Sequence, residues 1–430
     1  MKNGTKLRSV ANREYIIRRF IAAGGQGEVY EAEDSATKTA YALKWYFKHS
    51  ATDYQRKLIK RILDRGAPDE RFLWPLDMVE APKGKGKNAG LFGYIMRLRP
   101  FNYKSIIDLM KRRAEPTFGA LCLAGINLAD GYHSLHSNGL CYRDISFGNL
   151  FFNPANGDVL ICDNDNVTVN RDSEGGTDGT PRFIAPEIIT GKKSPSTETD
   201  LYSMAVLLFY MFMLHHPLEG AKEANIKCFD SKAMEKIYGR EPLFIWHPTD
   251  KSNRPVPGYQ DNAIIFWKIY PQFIRDMFTA AFTDGLFNPS RRIVEKQWKE
   301  AFSRLHSSIV LCQRCNAENF AEDGRVPPCW SCKSAIALPP KIQIAGATVM
   351  LNRDTKLYAY GANGLFDYTA PIGQVQQHPS DPGKWGIKNI GGNSWVYIRA
   401  NGEKAVIEPG RAAPIVTGAK ISFGNVDGLL

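Results

Sequence analysis

The stretch "CYRDISFGNLFF", residues 141–152, decides how the rest of the chain is read. Its Arg143-Asp144 pair is followed by Asn149, and the apolar triplet Leu150-Phe151-Phe152 closes the run. Two readings compete. Asp144 is a catalytic base with Asn149 as a metal ligand, or both are ordinary loop polars between buried elements. An Asp and an Asn at that spacing are common by chance, so the flanking sequence has to choose.

Upstream, "IAAGGQGEVYEAED" (21–34) places Gly24 and Gly27 before Val29, in a turn between two strand-like runs. Small residues let backbone amides approach phosphate oxygens, although Gly-rich hairpins usually just turn. Fifteen residues beyond Val29, "YALKWY" (41–46) is an alternating strand segment carrying Lys44. A single strand lysine is normally a solvated charge; its register behind the Gly loop favours a phosphate role. Downstream, "DVLICDNDNV" (158–167) is a strand ending in Asp163. Asn149 and Asp163 are two hard oxygen donors suited to sharing Mg2+ on a nucleotide. "GTPRFIAPE" (179–187) and "TDLYSMAVLLFYM" (199–211) follow, and "NPSRRIVEKQW" (288–298) supplies Arg292 to pair with Glu187.

This ordered set resembles the eukaryotic-type serine/threonine protein kinases, in a bacterial branch of that family, over roughly residues 12–306. The matched pieces are "AAGGQGEV", "YALK", "YRDISFGN", "DND", "GTPRFIAPE" and "DLYSMAV". The resemblance implies an α+β, bilobal protein-kinase-like fold. Its β-rich N-lobe would cover about 12–98 and its helical C-lobe about 99–306, with an insertion at about 221–260. It implies ATP with Mg2+ (or Mn2+) as cofactors. ATP would lie against Ala22, Gly24, Gly25, Gly27, Val29, Ala42, Lys44, Met96 and Leu98, with Asn149 and Asp163 holding the metal. Met96 would back the adenine pocket, and Arg97, Leu98 and Arg99 would form the hinge. Asp144 would orient the acceptor hydroxyl and take its proton, so Asp144, Lys44 and Asn149 form the implied catalytic set.

Four departures bear on activity. The family's Asp-Phe-Gly is Asp163-Asn164-Asp165 here, and Ser146 replaces the Lys two residues beyond the catalytic Asp. Tyr142 stands for the usual His, where packing is the main requirement. The helix-borne Glu that should pair with Lys44 has no clean match. Gln55 in "DYQRKLIKRIL" stands about where it is expected and could hydrogen-bond Lys44 without an ion pair, while Glu70 falls too late. Arg143 is retained; in the family such an arginine pairs with a phosphorylated residue of the activation segment, for which Thr168, Ser173 and Thr177 are candidates and Thr180 is structural or acceptor-docking.

The bulk numbers set the frame. The 430 residues exceed one core, and 43% apolar with 23% charged residues is the balance of a globular protein. The net charge of +11 favours acidic or phosphate-bearing partners, but no nucleic-acid motif accompanies it, so a solvated basic face is the preferred reading. "MKNGTKLRSVANREY" has no apolar leader core, and the apolar run "LYSMAVLLFYMFML" (201–214) is too short for a bilayer and reads as a buried helix. The expectation is a cytoplasmic protein with no membrane partner. Turn formers in "GREPLFIWHPTDKSNRPVPGYQ" (239–260) mark a surface insertion.

Four of the eight cysteines stand in "CQRCNAENFAEDGRVPPCWSC", as C-x2-C, thirteen residues, then C-x2-C. Two such knuckles present four thiolates to one tetrahedral ion, so Cys312, Cys315, Cys329 and Cys332 are expected to hold a structural Zn2+ in a zinc ribbon over 309–335. Beyond the expected linker "ALPPK", 341–430 is nearly helix-free and reads as a small β-sandwich or barrel. Its closing strands resemble a degenerate forkhead-associated (FHA) domain. Functional members bind phosphothreonine through an Arg and a Ser, for which Arg353, His378 and Ser394 are candidates by chemistry alone. An interaction module that reads no phosphate stands beside that. The bacterial branch accompanies von Willebrand A and PP2C-type phosphatase proteins, which the resemblance names as partners beside the protein substrates. Two alternatives to a protein kinase remain: a nucleotide-binding pseudokinase scaffold, and a small-molecule kinase on the same fold.

Overall fold

In "EYIIRRFIAA", "GEVYEAED" and "AYALKWY" the pairs Tyr15/Ile17, Tyr30/Ala32 and Leu43/Trp45 set apolar side chains two apart on one face, the period of a strand. The computed structural model describes residues 1–81, 90–171 and 179–430. The chain divides into two compact units. The first comprises Met1–Glu115, Asn127–Ala263 and Phe278–Glu295; the second comprises Pro116–Ile126, Ile264–Met277 and Lys296–Leu430.

In the first unit, β1 (Lys6–Arg8), β2 (Glu14–Ala23), β3 (Gly27–Asp34), β4 (Ala40–Tyr46), β5 (Asp77–Glu80) and β6 (Phe92–Arg97) form an antiparallel sheet in the order β1-β2-β3-β4-β6-β5. Tyr15, Ile17, Tyr30, Ala32, Leu43, Trp45, Val79 and Ile95 cluster on one face. The alternate set shares the other face. Ala22 is registered against Val29, Val29 against Lys44, and Ala42 against Met96. Helix α1 (Asp53–Arg65) follows β4. Thr52 caps its start by accepting the Gln55 N–H, and Gly66 at φ 76° ends it. Gln55, Leu58, Ile59 and Ile62 form its buried face.

The short strand β7 (Lys104–Ser105) and α2 (Ile106–Met110) lead to α3 (Phe118–Ser137). Strands β8 (Leu140–Cys141), β9 (Leu150–Phe152), β10 (Val159–Ile161) and β11 (Thr168–Val169) pair as β10-β9-β7 and β11-β8. These small ladders pin both ends of the loop 142–149. After α4 (Pro186–Ile189), the apolar run lies within α5 (Thr197–Met213), opened by a Ser196/Thr199 capping box and buried from Tyr202 to Met213.

The segment 221–260, read as a surface insertion, is not confined to the surface. It carries α6 (Ala221–Ala224) and α7 (Ser231–Glu235), and Ile237, Tyr238, Phe244, Ile245, Asn253 and Gln260 are all buried. Its turn formers set the path, and apolar anchors between them supply the burial. The Asn253 side chain ties this segment down by donating to the carbonyls of Leu218 and Leu243. Next, "AIIFWKIYPQFIRDMFTAAF" divides into α8 (Asp261–Ile269) and α9 (Gln272–Phe282) at Pro271, which has no N–H for a continuing helix. Helices α10 (Asp284–Phe287) and α11 (Glu295–Ser307) follow.

In the second unit, β12 (Ile309–Leu311) pairs with β13 (Glu318–Phe320). Beyond it are β14 (Lys341–Ile344), β15 (Ala347–Met350), β16 (Lys356–Tyr360), β17 (Phe366–His378), β18 (Asp381–Asn389), β19 (Trp395–Ile398), β20 (Lys404–Ile407), β21 (Ala412–Pro414), β22 (Lys420–Ser422) and β23 (Asp427–Leu429). They form two antiparallel sheets, β15-β14-β23-β22-β19-β20 and β16-β17-β18-β21. Ile342, Trp395, Tyr397 and Ile421 of one sheet and Leu357, Val375, Ile387 and Ala413 of the other share a single core. Trp395 is 2% exposed, a core residue as its size suggests.

Candidate active site

Strand β4 carries Lys44 into the interior, where it is 5% exposed. A buried ammonium requires partners, and Lys44 has three. Its Nζ meets the Asp163 carboxylate, lies 2.8 Å from Asp165 Oδ2, and donates to Gln26 Oε1 at 3.1 Å. Gln26, at the tip of the Gly-rich hairpin, also donates to Asn166 Oδ1 at 3.4 Å. The hairpin glycines differ in purpose. A Cβ on Gly27 would lie 2.3 Å from the Trp45 carbonyl oxygen, so strand packing demands glycine there, whereas Gly24 and Gly25 face open space.

Asp163 sits at the end of the segment after β10 with φ 59°, a left-handed conformation uncommon outside glycine, and precedes the short 3-10 turn Asn164–Asn166. Burial pushes its carboxyl up to about 6, with Lys44 pulling it down and Asp165 adding to the rise. Asn149, on the loop between β8 and β9, donates Nδ2 to the Asp144 carbonyl at 2.7 Å, and its own carbonyl accepts the Cys162 N–H at 2.8 Å. With Nδ2 engaged, Oδ1 is the atom left for a cation. The chemistry of an amide oxygen and a carboxylate suits Mg2+, so Asn149 and Asp163 are the residues that could hold it. Asp144 Oδ1 accepts the Thr180 hydroxyl at 2.8 Å, which joins the catalytic loop to the "GTPRFIAPE" segment.

A buried scaffold holds that loop. Asp200, at the first turn of α5 and 1% exposed, accepts the N–H groups of Tyr142 (2.5 Å) and Arg143 (3.0 Å). His136 lies between Asp200 (3.1 Å) and Glu295. Burial alone would lower its pKa, but the two carboxylates outweigh that and raise it to about 9. The Tyr142 hydroxyl donates to the Cys162 carbonyl, and its ring packs on Phe72 and Tyr132, so this position packs the loop as expected. Arg292 donates both Nη groups to Glu187 at 2.8 Å, the pairing that their order along the chain suggested.

Gln55 departs from expectation. Its Nε2 donates to the Asp165 carbonyl at 2.8 Å and to the Tyr46 hydroxyl at 3.2 Å, not to Lys44. The Tyr46 hydroxyl in turn donates to Asp165 Oδ2. The carboxylate that meets Lys44 beside Asp163 is therefore Asp165. Gln26, Asp165 and His136 escaped the sequence reading. For Asp165 the signal was present in "DND", where an acid stands at a position that otherwise takes glycine. Arg143 is 7% exposed, and its Nε and Nη1 have no hydrogen-bond partner among the described residues. The candidates Ser173 and Thr177 lie outside the described residues, while Thr168 is buried in β11.

In the second unit, Cys312, Cys315, Cys329 and Cys332 bring their sulfurs within 4.8 Å of one another. Cys312 and Cys332 are 3.6 Å apart, as are Cys315 and Cys329. A tetrahedral ion with Zn–S bonds of ~2.3 Å needs sulfur separations of about 3.8 Å, so the donor set fits zinc. The two knuckles are built alike: Asn316 and Lys333, each after the second cysteine, have φ of 59° and 62° and return their N–H to the carbonyl of the first. Of the candidate phosphate binders, Ser394 donates to Glu408 at 2.5 Å and Arg353 to Asn316 at 3.1 Å.

Comparison with known proteins bears on this set of residues. Residues 103–279 match the family model described as protein kinase domain. The serine/threonine-protein kinase plk-1 of Caenorhabditis elegans is 27% identical over 227 residues, covering 52% of this chain and 32% of that protein. PLK1 of Xenopus laevis is 28% identical over 212 residues, covering 48% and 34%. CDC5/MSD2 of Saccharomyces cerevisiae, a cell cycle serine/threonine-protein kinase, is 33% identical over 135 residues, covering 29% and 19%. The chain spans about a third or less of the length of these curated relatives. Residues 103–279 are thus similar to protein kinase domains, and the relatives are serine/threonine kinases by name.

Proposed function

We propose that the chain is a serine/threonine protein kinase that uses ATP and Mg2+ to phosphorylate protein hydroxyls, its own and a partner's. The observation that carries this reading is the convergence of Lys44, Asp144, Asn149 and Asp163, with Thr180 hydrogen-bonded to Asp144. When bound, ATP supplies the γ-phosphoryl group and Mg2+ screens its charge. Lys44 would present its ammonium to the phosphates, and the side-chain oxygens of Asn149 and Asp163 would hold the metal. Asp144 orients the acceptor hydroxyl in line and takes its proton late, as the phosphorus–oxygen bond forms; position matters more here than basicity. Ala22, Val29, Ala42 and Met96, on one face of the sheet, would receive the adenine side. Phosphorylation of Ser173 or Thr177, which lie outside the described residues, would give the buried Arg143 guanidinium an anionic partner.

A pseudokinase scaffold is the second reading, favoured by Asn164, Ser146 and the absence of a helix-borne acid at Gln55. Labelled ATP with Mg2+ or Mn2+ separates the two. A kinase labels itself or a generic basic protein on Ser or Thr, and loses that label in Asp144→Ala and Asp163→Ala. Binding of ATP without any label in the wild type supports the scaffold.

For the second unit we propose a structural Zn2+ in a ribbon over 309–335 and an FHA-like β-sandwich over 341–430 for docking. The engagement of Ser394 and Arg353 with neighbouring side chains favours a surface that reads no phosphothreonine. A von Willebrand A protein and a PP2C-type phosphatase are the proposed partners, in the cytoplasm. Among the described residues no helix is long and apolar enough to cross a membrane.

A further inference from the structure

We propose that Asp165 is the positioning residue for Lys44, doing here what a helix-borne acid does elsewhere in the family; the inference rests on the phosphoryl-transfer reading of the cleft. Lys44 reaches two carboxylates, and their settings differ. The Asp163 side chain is 34% exposed and belongs to the metal set, so a bound cation claims its oxygens. Asp165 is fully buried and committed inward. Its Oδ2 lies 2.8 Å from Lys44 Nζ and accepts the Tyr46 hydroxyl, while its main-chain carbonyl accepts Gln55 Nε2 at 2.8 Å.

Three elements therefore meet at one acid: β4 through Lys44 and Tyr46, α1 through Gln55, and the turn after β10 through Asp165 itself. A buried carboxylate without a cation is strongly unfavourable, and so is a buried ammonium without an anion. Once the metal occupies Asp163, Asp165 is the carboxylate that keeps Lys44 in place. Because Asp163 and Asp165 stand two residues apart on one turn, lysine anchor and metal ligand move as one piece. Helix α1 contributes a neutral brace instead of an ion.

The test uses the full chain. ATP affinity with Mg2+ is measured by calorimetry, and kcat and KM by transfer, for wild type, D165N, Q55E/D165N, K44M and K44M/D165N. In D165N, ATP affinity is expected to fall about tenfold and kcat on the order of 10²-fold. Q55E/D165N, which returns the carboxylate from α1, should recover most of both. K44M/D165N should bind ATP as K44M does, since Asp165 acts through Lys44. D165N within about twofold of wild type, or a further loss of ATP affinity on adding D165N to K44M, overturns the assignment. If D165N alone does not fold, K44M/D165N removes the unpaired charge and the affinity comparison with K44M decides. A wild type that neither binds ATP nor transfers phosphate overturns the kinase reading instead.

Discussion

His136 shows how a single side chain can hold the loop 142–149, which it never enters. Its ring lies between Asp200 and Glu295, and Asp200 carries the N–H groups of Tyr142 and Arg143. The pKa of His136 is raised from 6.5 to about 9 in the folded chain, so the folded state binds its proton more tightly than the unfolded one. Its contribution is complete below about 6.5, and is lost as pH rises through about 9. That is worth on the order of 3 kcal/mol. Unfolding midpoints in denaturant from pH 6 to 10 should fall more steeply for wild type than for His136→Gln; parallel curves would count against this account. Neither partner of His136 was legible, because they are distant in sequence and only the fold selects them. The grouping of Lys44 with Asp163, and of Asn149 with the Asp144 carbonyl, was legible because order and spacing along strands and loops carry it.

At the scale of elements, the Gly-rich hairpin divides into two kinds of glycine. Gly27 is needed because β3 and β4 approach closely, and Gly25 has open space around it. Gly27→Ala should destabilise the chain by about 1–3 kcal/mol through a clash with backbone that cannot yield. Gly25→Ala should stay within about 0.5 kcal/mol. Chemical denaturation of the two variants checks this, and equal effects would contradict the packing argument. The sequence reading grouped all these glycines as phosphate contacts, since spacing reports the turn but not the facing strand. Helices were legible where their apolar pattern was strong, as in α1, α3 and α5. The burial of 221–260 was hidden because turn formers outnumber the apolar anchors Ile237, Tyr238, Phe244 and Ile245.

Over the whole molecule, two compact units carry two different sources of stability. The sheet of the first buries an apolar cluster that includes Tyr15, Leu43 and Ile95; the ribbon of the second has a small core of Val310 and Ala321 with Met350, and brings four thiols together. A metal bound by these thiols would supply folding energy for the ribbon. Elemental analysis should find about one zinc per chain, and a strong chelator should lower the thermal midpoint and expose the four thiols to reagent. Thiols that react at the same rate with and without chelator would argue against the site. The convergence of the four thiols was plain in the sequence because knuckle spacing is local.

The measurement that bears most directly on the central claim is phosphoryl transfer by wild type and Asp144→Asn, with ATP binding measured on the same samples. The account predicts that both bind ATP alike, that wild type places label on Ser or Thr, and that the variant loses at least about 10²-fold in rate. Equal binding with no label on wild type, or equal label on both proteins, would contradict it.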